Sequence, residues 1–170
     1  MTVIGVVSDT HFPRFGRTLP RALERGLRRA QVERILHLGD MTDLLAVPLF
    51  ETIAAFDAVA GNNDGEAIRA RFGRRKIITV ERVRIGMVHG DGNGRSTKDC
   101  AVAAFADAAV DVILFGHSHQ PFVAREGRVL VANPGSPTDK RTNPHYSYAV
   151  LTIDGGDAQI ALAFYTSRDA

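Results

Sequence analysis

The sequence predicts a mixed α/β fold in which strands alternate with helices first and then follow one another in series. Three observations predict it. Short β-branched runs such as Thr2 to Ser8 and Asp111 to Phe115 are separated by stretches with apolar residues at i, i+4 spacing. After Gly116 the helical periodicity stops, and further β-type runs follow, broken by Gly, Pro and Asp. The 170 residues, 18.4 kDa, form one expected domain over 1–170, a size that buries about 70% of the surface of its unfolded chain.

Taken in order, Thr2 to Ser8 is a buried strand that ends at Asp9. Thr18 is placed to cap a helix through Ala30, with Leu19, Leu23 and Leu27 on one face. Arg34 to Leu38 is a second strand, stopped by Gly39-Asp40. Asp43 is placed to cap a helix to Ala55 with Leu45, Leu49 and Ile53 aligned, and Ala58 to Ala60 is a short strand before Gly61. Ile77 to Val80 and Val83 to Val88 read as paired strands. Ser96 and Asp99 approximate a capping box ahead of an Ala-rich helix to Ala109. Asp111 to Phe115, Phe122 to Arg125, Val129 to Ala132, Tyr146 to Ile153 and Ala158 to Tyr165 complete the strands. Gly135 to Pro144 is the longest polar segment and reads as a surface or active-site loop.

Composition narrows the function. Hydrophobic residues at 45% and charged residues at 24% are ordinary for a globular domain. The net charge is +2, and the basic residues are spread along the sequence, so no nucleic-acid partner is expected. The one cysteine, Cys100, rules out an internal disulfide and a cysteine-based zinc cluster. No apolar run reaches the roughly 18 residues of a membrane span, and Met1 to Ile4 lacks the cationic start of a signal peptide. A cytoplasmic location is expected, with no membrane partner.

The chemistry is positional. Asp9 and His11, Asp40, Asn62, His89, and His117 with His119 all follow the ends of expected strands. In α/β sheets, ligands bind beyond the carboxyl ends of strands. Carboxylate, amide and imidazole groups are metal ligands, and seven or eight of them exceed one tetrahedral ion but suit two.

Asp9-x-His11, Gly39-Asp40, Gly61-Asn62-x-Asp64, His89-Gly90 and Gly116-His117-Ser118-His119, in that order, resemble the motif set of the calcineurin-like metallophosphoesterases. Asn133-Pro134-Gly135-Ser136 and Arg141 resemble its small YfcE-type phosphodiesterase branch. The resemblance implies two facing β-sheets flanked by helices. It also implies a first metal on Asp9, His11 and His119, a second on Asn62, His89 and His117, and Asp40 between them. Two divalent ions are expected, manganese ahead of magnesium, nickel, iron or zinc. The implied reaction is in-line attack of a metal-bridging hydroxide on a small phosphate ester, with Asp40, Asn62 and His89 catalytic and Arg141 on the substrate phosphate. Metal affinity is expected to fall below about pH 6.5, where free histidine protonates. Small relatives are often dimers or tetramers, so a homodimer or homotetramer is possible.

One position departs from the pattern. Many relatives carry His where this chain has Asn63, a catalytic and substrate-binding position. A neutral amide cannot act as a general acid near pH 7, so slower turnover and a preference for diesters are expected. The competing readings are a phosphomonoesterase or nuclease of the same superfamily and a non-catalytic metal-binding scaffold.

The remaining polar residues have plainer readings. His37 reads as a satisfied core histidine. His145 belongs to a polar loop that can approach the cleft. Asp64 orients its own turn or a histidine. Asn133 to Ser136 is either a tight turn or a lining of the site. Asp91 to Gly94 and Arg74 to Lys76 read as solvated turns, and Cys100 as core.

Overall fold

The computed structural model describes residues 1–169. The order of elements is β1 (Thr2–Val7), α1 (Arg21–Arg29), β2 (Arg34–His37), α2 (Ala46–Glu51), β3 (Ala55–Ala58), α3 (Glu66–Phe72), β4 (Arg75–Val80), β5 (Val83–Val88), α4 (Thr97–Ala104), β6 (Val112–Leu114), β7 (Phe122–Glu126), β8 (Val129–Asn133), β9 (Tyr146–Asp154) and β10 (Asp157–Tyr165).

The strands form two five-stranded mixed sheets, ordered β10-β9-β1-β2-β3 and β4-β5-β6-β8-β7. In the first sheet β1, β2 and β3 run parallel, with β9 antiparallel to β1. In the second, β5, β6 and β8 run parallel, with β4 and β7 antiparallel at the edges. The two parallel trios end on one common rim, and the loops that leave them carry the polar residues.

Alternation along the strands explains the layers. Ile4 and Val6 of β1 and Leu36 of β2 point to the second sheet, where they meet Ile85, Met87, Val112 and Leu114. Val7 and Ile35 point the other way, under Leu23 and Leu27 of α1, Phe50 of α2 and Phe72 of α3. The outer face of the second sheet is covered by Ala101 of α4 and by Phe105. Burying each such Leu, Ile or Phe contributes about 1.5–3 kcal/mol, which is what holds helix to sheet and sheet to sheet. No helix among the described residues is long and apolar enough to cross a membrane.

Some elements differ from expectation. The helix expected from Thr18 starts at Arg21, with Pro20 as its cap residue. Proline disfavours helical backbone in the residue before it, so Leu19 cannot be in the helix. The helix expected to reach Ala55 ends at Glu51, because Ala55–Ala58 pair in parallel with Arg34–His37. Asp43 does not cap that helix directly; its Oδ1 accepts the Leu45 N–H at 2.8 Å in the turn before it. The Ala-rich helix keeps its Ser96 cap, which accepts the Asp99 N–H, but ends at Ala104. Helix α3 had no expectation attached, although Ile68 and Phe72 are buried at i, i+4 spacing between Gly65 and Gly73.

Candidate metal centre

Loops from both sheets meet at the rim. Among their side-chain-bearing residues, Asp9 (φ 57°), His11 (46°), Asp40 (57°), His117 (69°) and His119 (59°) hold left-handed backbone, as do Thr42 (63°) and Arg141 (49°). Such conformations cost non-glycine residues about 1–3 kcal/mol each and persist only where surrounding contacts enforce them. Here the contacts are visible. The Asp9 and His11 N–H groups bond to the carbonyls of Gly39 and Asp40, each at 3.0 Å. Ser136 Oγ donates to the Asp9 carbonyl at 2.8 Å, and Thr138 Oγ1 donates to that of Thr10 at 2.8 Å.

The side chains are aimed as well as gathered. Asp9 Oδ2 is occupied by the Ser8 hydroxyl at 2.7 Å and the His117 N–H at 2.9 Å, which leaves Oδ1 for the centre. His89 Nδ1 lies 2.7 Å from the Leu38 carbonyl and His119 Nδ1 2.7 Å from the Asp139 carbonyl. A carbonyl only accepts, so each Nδ1 carries a proton, and it is Nε2 that each ring, once neutral, turns inward as a lone pair. His89 Nε2 then stands 3.3 Å from Asp40 Oδ2 and 3.7 Å from Asp9 Oδ1, and His119 Nε2 3.4 Å from Asp9 Oδ1. His11 Nε2 lies 3.8 Å from Asp9 Oδ1 and 3.7 Å from Asp40 Oδ2.

Asp9 Oδ1 and the Nε2 atoms of His11, His89 and His119 are buried without a hydrogen-bond partner among the described residues. Buried polar atoms are almost always paired. Four unpaired ones converging at a point fit a missing cation. Two overlapping groups have ligand atoms within 4.8 Å of one another: Asp9, His11 and His119, and Asp9, Asp40 and His89. Asp9 is common to both.

The electrostatics carry the same signature. Burial drives the Asp9 carboxyl up, but the facing His11, His119 and His89 outweigh it and hold it well below the usual carboxylate range. Burial likewise opposes ionisation of Asp40, and His89 and Asn63 bring it down to about 2. Burial pulls His89 down, yet the Asp40 and Asp9 carboxylates push it up to about 9. His119 is raised against its own burial by Asp9, while Arg141 opposes the rise. Burial, helped by the charge of His89, lowers His117.

Of the seven expected ligands the structure therefore brings five together. The His117 ring sits edge-on to His89 at 5.1 Å and lies outside both groups. Asn62 is exposed, and its side chain makes no hydrogen bond among the described residues. Asn63 holds Asp40 twice, through its N–H to Oδ1 at 2.9 Å and its Nδ2 to Oδ2 at 2.8 Å. Arg141 is exposed near His119, with its N–H on Asp139 Oδ1 at 3.3 Å. His145 packs against Phe164, with ring centres 6.1 Å apart.

Three supporting groups had weak or double readings in the sequence. Asp64 takes three backbone N–H groups, from Gly61, Asp40 and Thr42. Asn133 is fully buried and ties Gly116, Ser118 and Gly135, so it supports the histidine loop from beneath. His37 accepts the Gly39 N–H on Nδ1, and its Nε2 faces Thr10 Oγ1 at 2.9 Å. Its bland reading as a satisfied core histidine holds, but it also links the first two loops of the centre.

Residues 1–156 match the model of the calcineurin-like phosphoesterase superfamily domain. A protein of Methanothermobacter thermautotrophicus named a probable metallophosphoesterase is 37% identical over 161 residues, covering 93% of this chain and 91% of that one. A phosphodiesterase of Methanocaldococcus jannaschii is 28% identical over 146 residues, covering 78% and 82%. The crystal structure of Vps29 from Chaetomium thermophilum superposes with a TM-score of 0.79 over 98% of this chain and 97% of that one, at 22% identity, a likeness of fold.

Proposed function

Since the chain belongs to the calcineurin-like phosphoesterase superfamily, we propose that it is a dinuclear metal-dependent phosphodiesterase. One observation carries the reading: the four buried ligand atoms of Asp9, His11, His89 and His119 that converge without partners. Asp9, His11 and His119 would hold one ion. Asp40 and His89 would hold the other, with Asn62 and His117 beside it. When bound, divalent ions supply Lewis acidity and an activated water for in-line displacement at phosphorus. Mixed carboxylate and imidazole donors suit a transition metal such as manganese.

The chain's own residues do the positioning. Asn63 fixes both oxygens of Asp40 and so orients that carboxylate toward His89. The same amide is not acidic enough to protonate a leaving alkoxide near pH 7. A diester, with less negative charge, asks less of that position than a monoester. Arg141 offers an exposed guanidinium beside His119 for a phosphate oxygen.

The test is hydrolysis of an aryl phosphodiester and an aryl phosphomonoester by chelator-stripped protein, with and without manganese. Diester hydrolysis is expected to return with the metal and to be lost in His89→Ala. Folded protein that binds two ions and hydrolyses neither ester would favour the scaffold reading instead.

A further inference from the structure

The arginines of one segment are gathered by the fold onto one surface. Residues 12–31 hold six arginines and one acid, a net of +5, while the rest of the chain nets −3. Arg14, Arg17, Arg21, Arg25, Arg28 and Arg29 are all exposed. Among the described residues only Arg28 of these is in an ion pair, with Glu24 at 3.0 Å. Arg21, Arg25 and Arg29 repeat every four residues on α1, a step of about 6 Å, so they form a stripe.

Aromatic rings lie along this stripe. A groove of about 290 Å³ between α1 and β10 is lined by Arg25, Arg29, Tyr148, Phe164 and Tyr165. Phe164 is 53% exposed and presents its ring to solvent at the groove. A series of pairwise contacts leads from the groove towards His11. Arg168 lies close enough to Tyr165 for its charge to oppose the effect of burial on the phenol. Its guanidinium also lies against Gly16, where an added Cβ would stand 2.9 Å from Nη2. The Arg14 guanidinium is 5.3 Å from the centre of the Phe15 ring, and that ring is 6.3 Å from the ring of His11. Glu24 on α1 is already paired with Arg28, and Asp169 follows Arg168 in the sequence.

We propose that this face binds a single-stranded oligonucleotide and leads it to the His11 side of the centre, so that the phosphodiester cleaved is an internucleotide one. The proposal rests on the phosphodiesterase reading above. Unpaired cations at regular intervals fit backbone phosphates, and an exposed ring between arginines fits an unstacked base. The groove has room for one base, not for a duplex. A lone phosphate ester would need only Arg141, and a bilayer would leave the recessed groove unfilled.

The experiment is fluorescence anisotropy of a labelled twelve-residue thymidine oligomer with the full chain in EDTA, across a salt series. Binding without metal is expected, with a log–log salt slope of about −2 to −3, corresponding to three or four phosphate contacts. Arg25→Glu with Arg29→Glu should bind at least about tenfold weaker and flatten the slope by about one or more. Phe164→Ala should bind roughly tenfold weaker with the slope unchanged. Arg84→Glu with Arg125→Glu, exposed on the other sheet, makes the same change in net charge and should stay within about threefold of the parent. No binding, equal losses in both double variants, or equal binding to phosphatidylserine vesicles overturns the proposal. Manganese-dependent aryl diester hydrolysis, read on the same preparation, separates the two ideas: hydrolysis without oligomer binding sinks the track alone, and binding without hydrolysis sinks the phosphodiesterase reading, and with it the cleavage of the bound strand, while the binding face stands.

Discussion

Asp64 holds Asp40 by its backbone: Oδ2 of the one accepts the N–H of the other at 2.7 Å. The same oxygen takes the Gly61 N–H and Oδ1 takes the Thr42 N–H, also at 2.7 Å. One buried carboxylate thus ties the loop after β2 to the loop after β3 and sets where Asp40 points. Its own pKa is raised, because burial outweighs the three donors.

Asp64→Asn should therefore damage the centre from behind. An amide has one acceptor atom, and its NH₂ would oppose at least one buried N–H. Each orphaned donor costs about 1–3 kcal/mol. We expect a loss of about 2–3 kcal/mol in urea unfolding and roughly 10–100-fold weaker manganese binding. Parent-like values in both would show that Asp40 is held by other contacts.

Gly39→Ala is expected to fail for a steric reason. Gly39 sits at φ 101°, and an added Cβ would stand 2.6 Å from His89 Nδ1 and 2.8 Å from the Gly61 nitrogen. Strain and displacement together should cost about 3 kcal/mol. The melting temperature should fall, and added manganese should raise it less than in the parent.

His37 makes the protein sensitive to acid. Burial is the main reason that its pKa drops from 6.5 to about 3. The unfolded chain binds this proton below about pH 6.5 and the folded chain does not, so stability is intact above that value and is lost as pH falls toward 3. At pH 5 the loss is about 2 kcal/mol. His37→Gln, which cannot take up the proton, should flatten the slope of stability between pH 4 and 6.5 in urea titrations.

His89 acts in the opposite direction. In the metal-free protein its pKa is raised to about 9 by the two carboxylates, against its burial. Its stabilising charge pair is fully present below about pH 6.5 and is lost as pH rises through 9. A metal needs the neutral ring, so loading at pH 7.5 should release about one proton per chain from this residue. Calorimetry in buffers of different ionisation enthalpy reads that number. The onset of weakened metal binding should accordingly lie well above the free-histidine value of about 6.5. A buffer-independent heat would contradict the assignment.

Asn63→His tests the missing acid. Restoring an imidazole beside Asp40 should raise turnover of an alkyl phosphomonoester roughly tenfold or more, while aryl diester turnover changes little. Equal effects on both esters would mean that leaving-group protonation is not what Asn63 lacks.

The legible part of this molecule is the part governed by local periodicity and by ends of strands. Strand β5 and the Ser96 cap lie where alternation and capping chemistry put them. Asp9, His11, Asp40, His89 and His119 were visible because each follows an apolar run, and β-strands deliver such residues to one rim. The less legible part is set by partners distant in sequence. Helix α2 is cut short by the pairing of β3 with β2. Nothing local distinguishes Asn62 from Asn63, yet it is Asn63 that takes hold of Asp40, 23 residues away. Asp64, Ser136 and Thr138 act on main-chain atoms of the metal loops, and a bond to a backbone amide leaves no mark in the donor's sequence.

The Ser136 bond to the Asp9 carbonyl spans 127 residues, and β1 has β9 as its neighbour on one side. The first proposed ligand to leave the ribosome is therefore among the last residues to be fixed in place. At 5–20 residues per second, roughly 7–30 s separate the synthesis of Asp9 from that of the strands that complete its sheet. Between the synthesis of His119 and that of Ser136, a nascent chain carries every proposed metal ligand but lacks the hydroxyl clamps that hold Asp9 and Thr10. Tight metal capture is thereby deferred until nearly the whole chain has been made, so a prematurely terminated product carries the ligands without the geometry to use them.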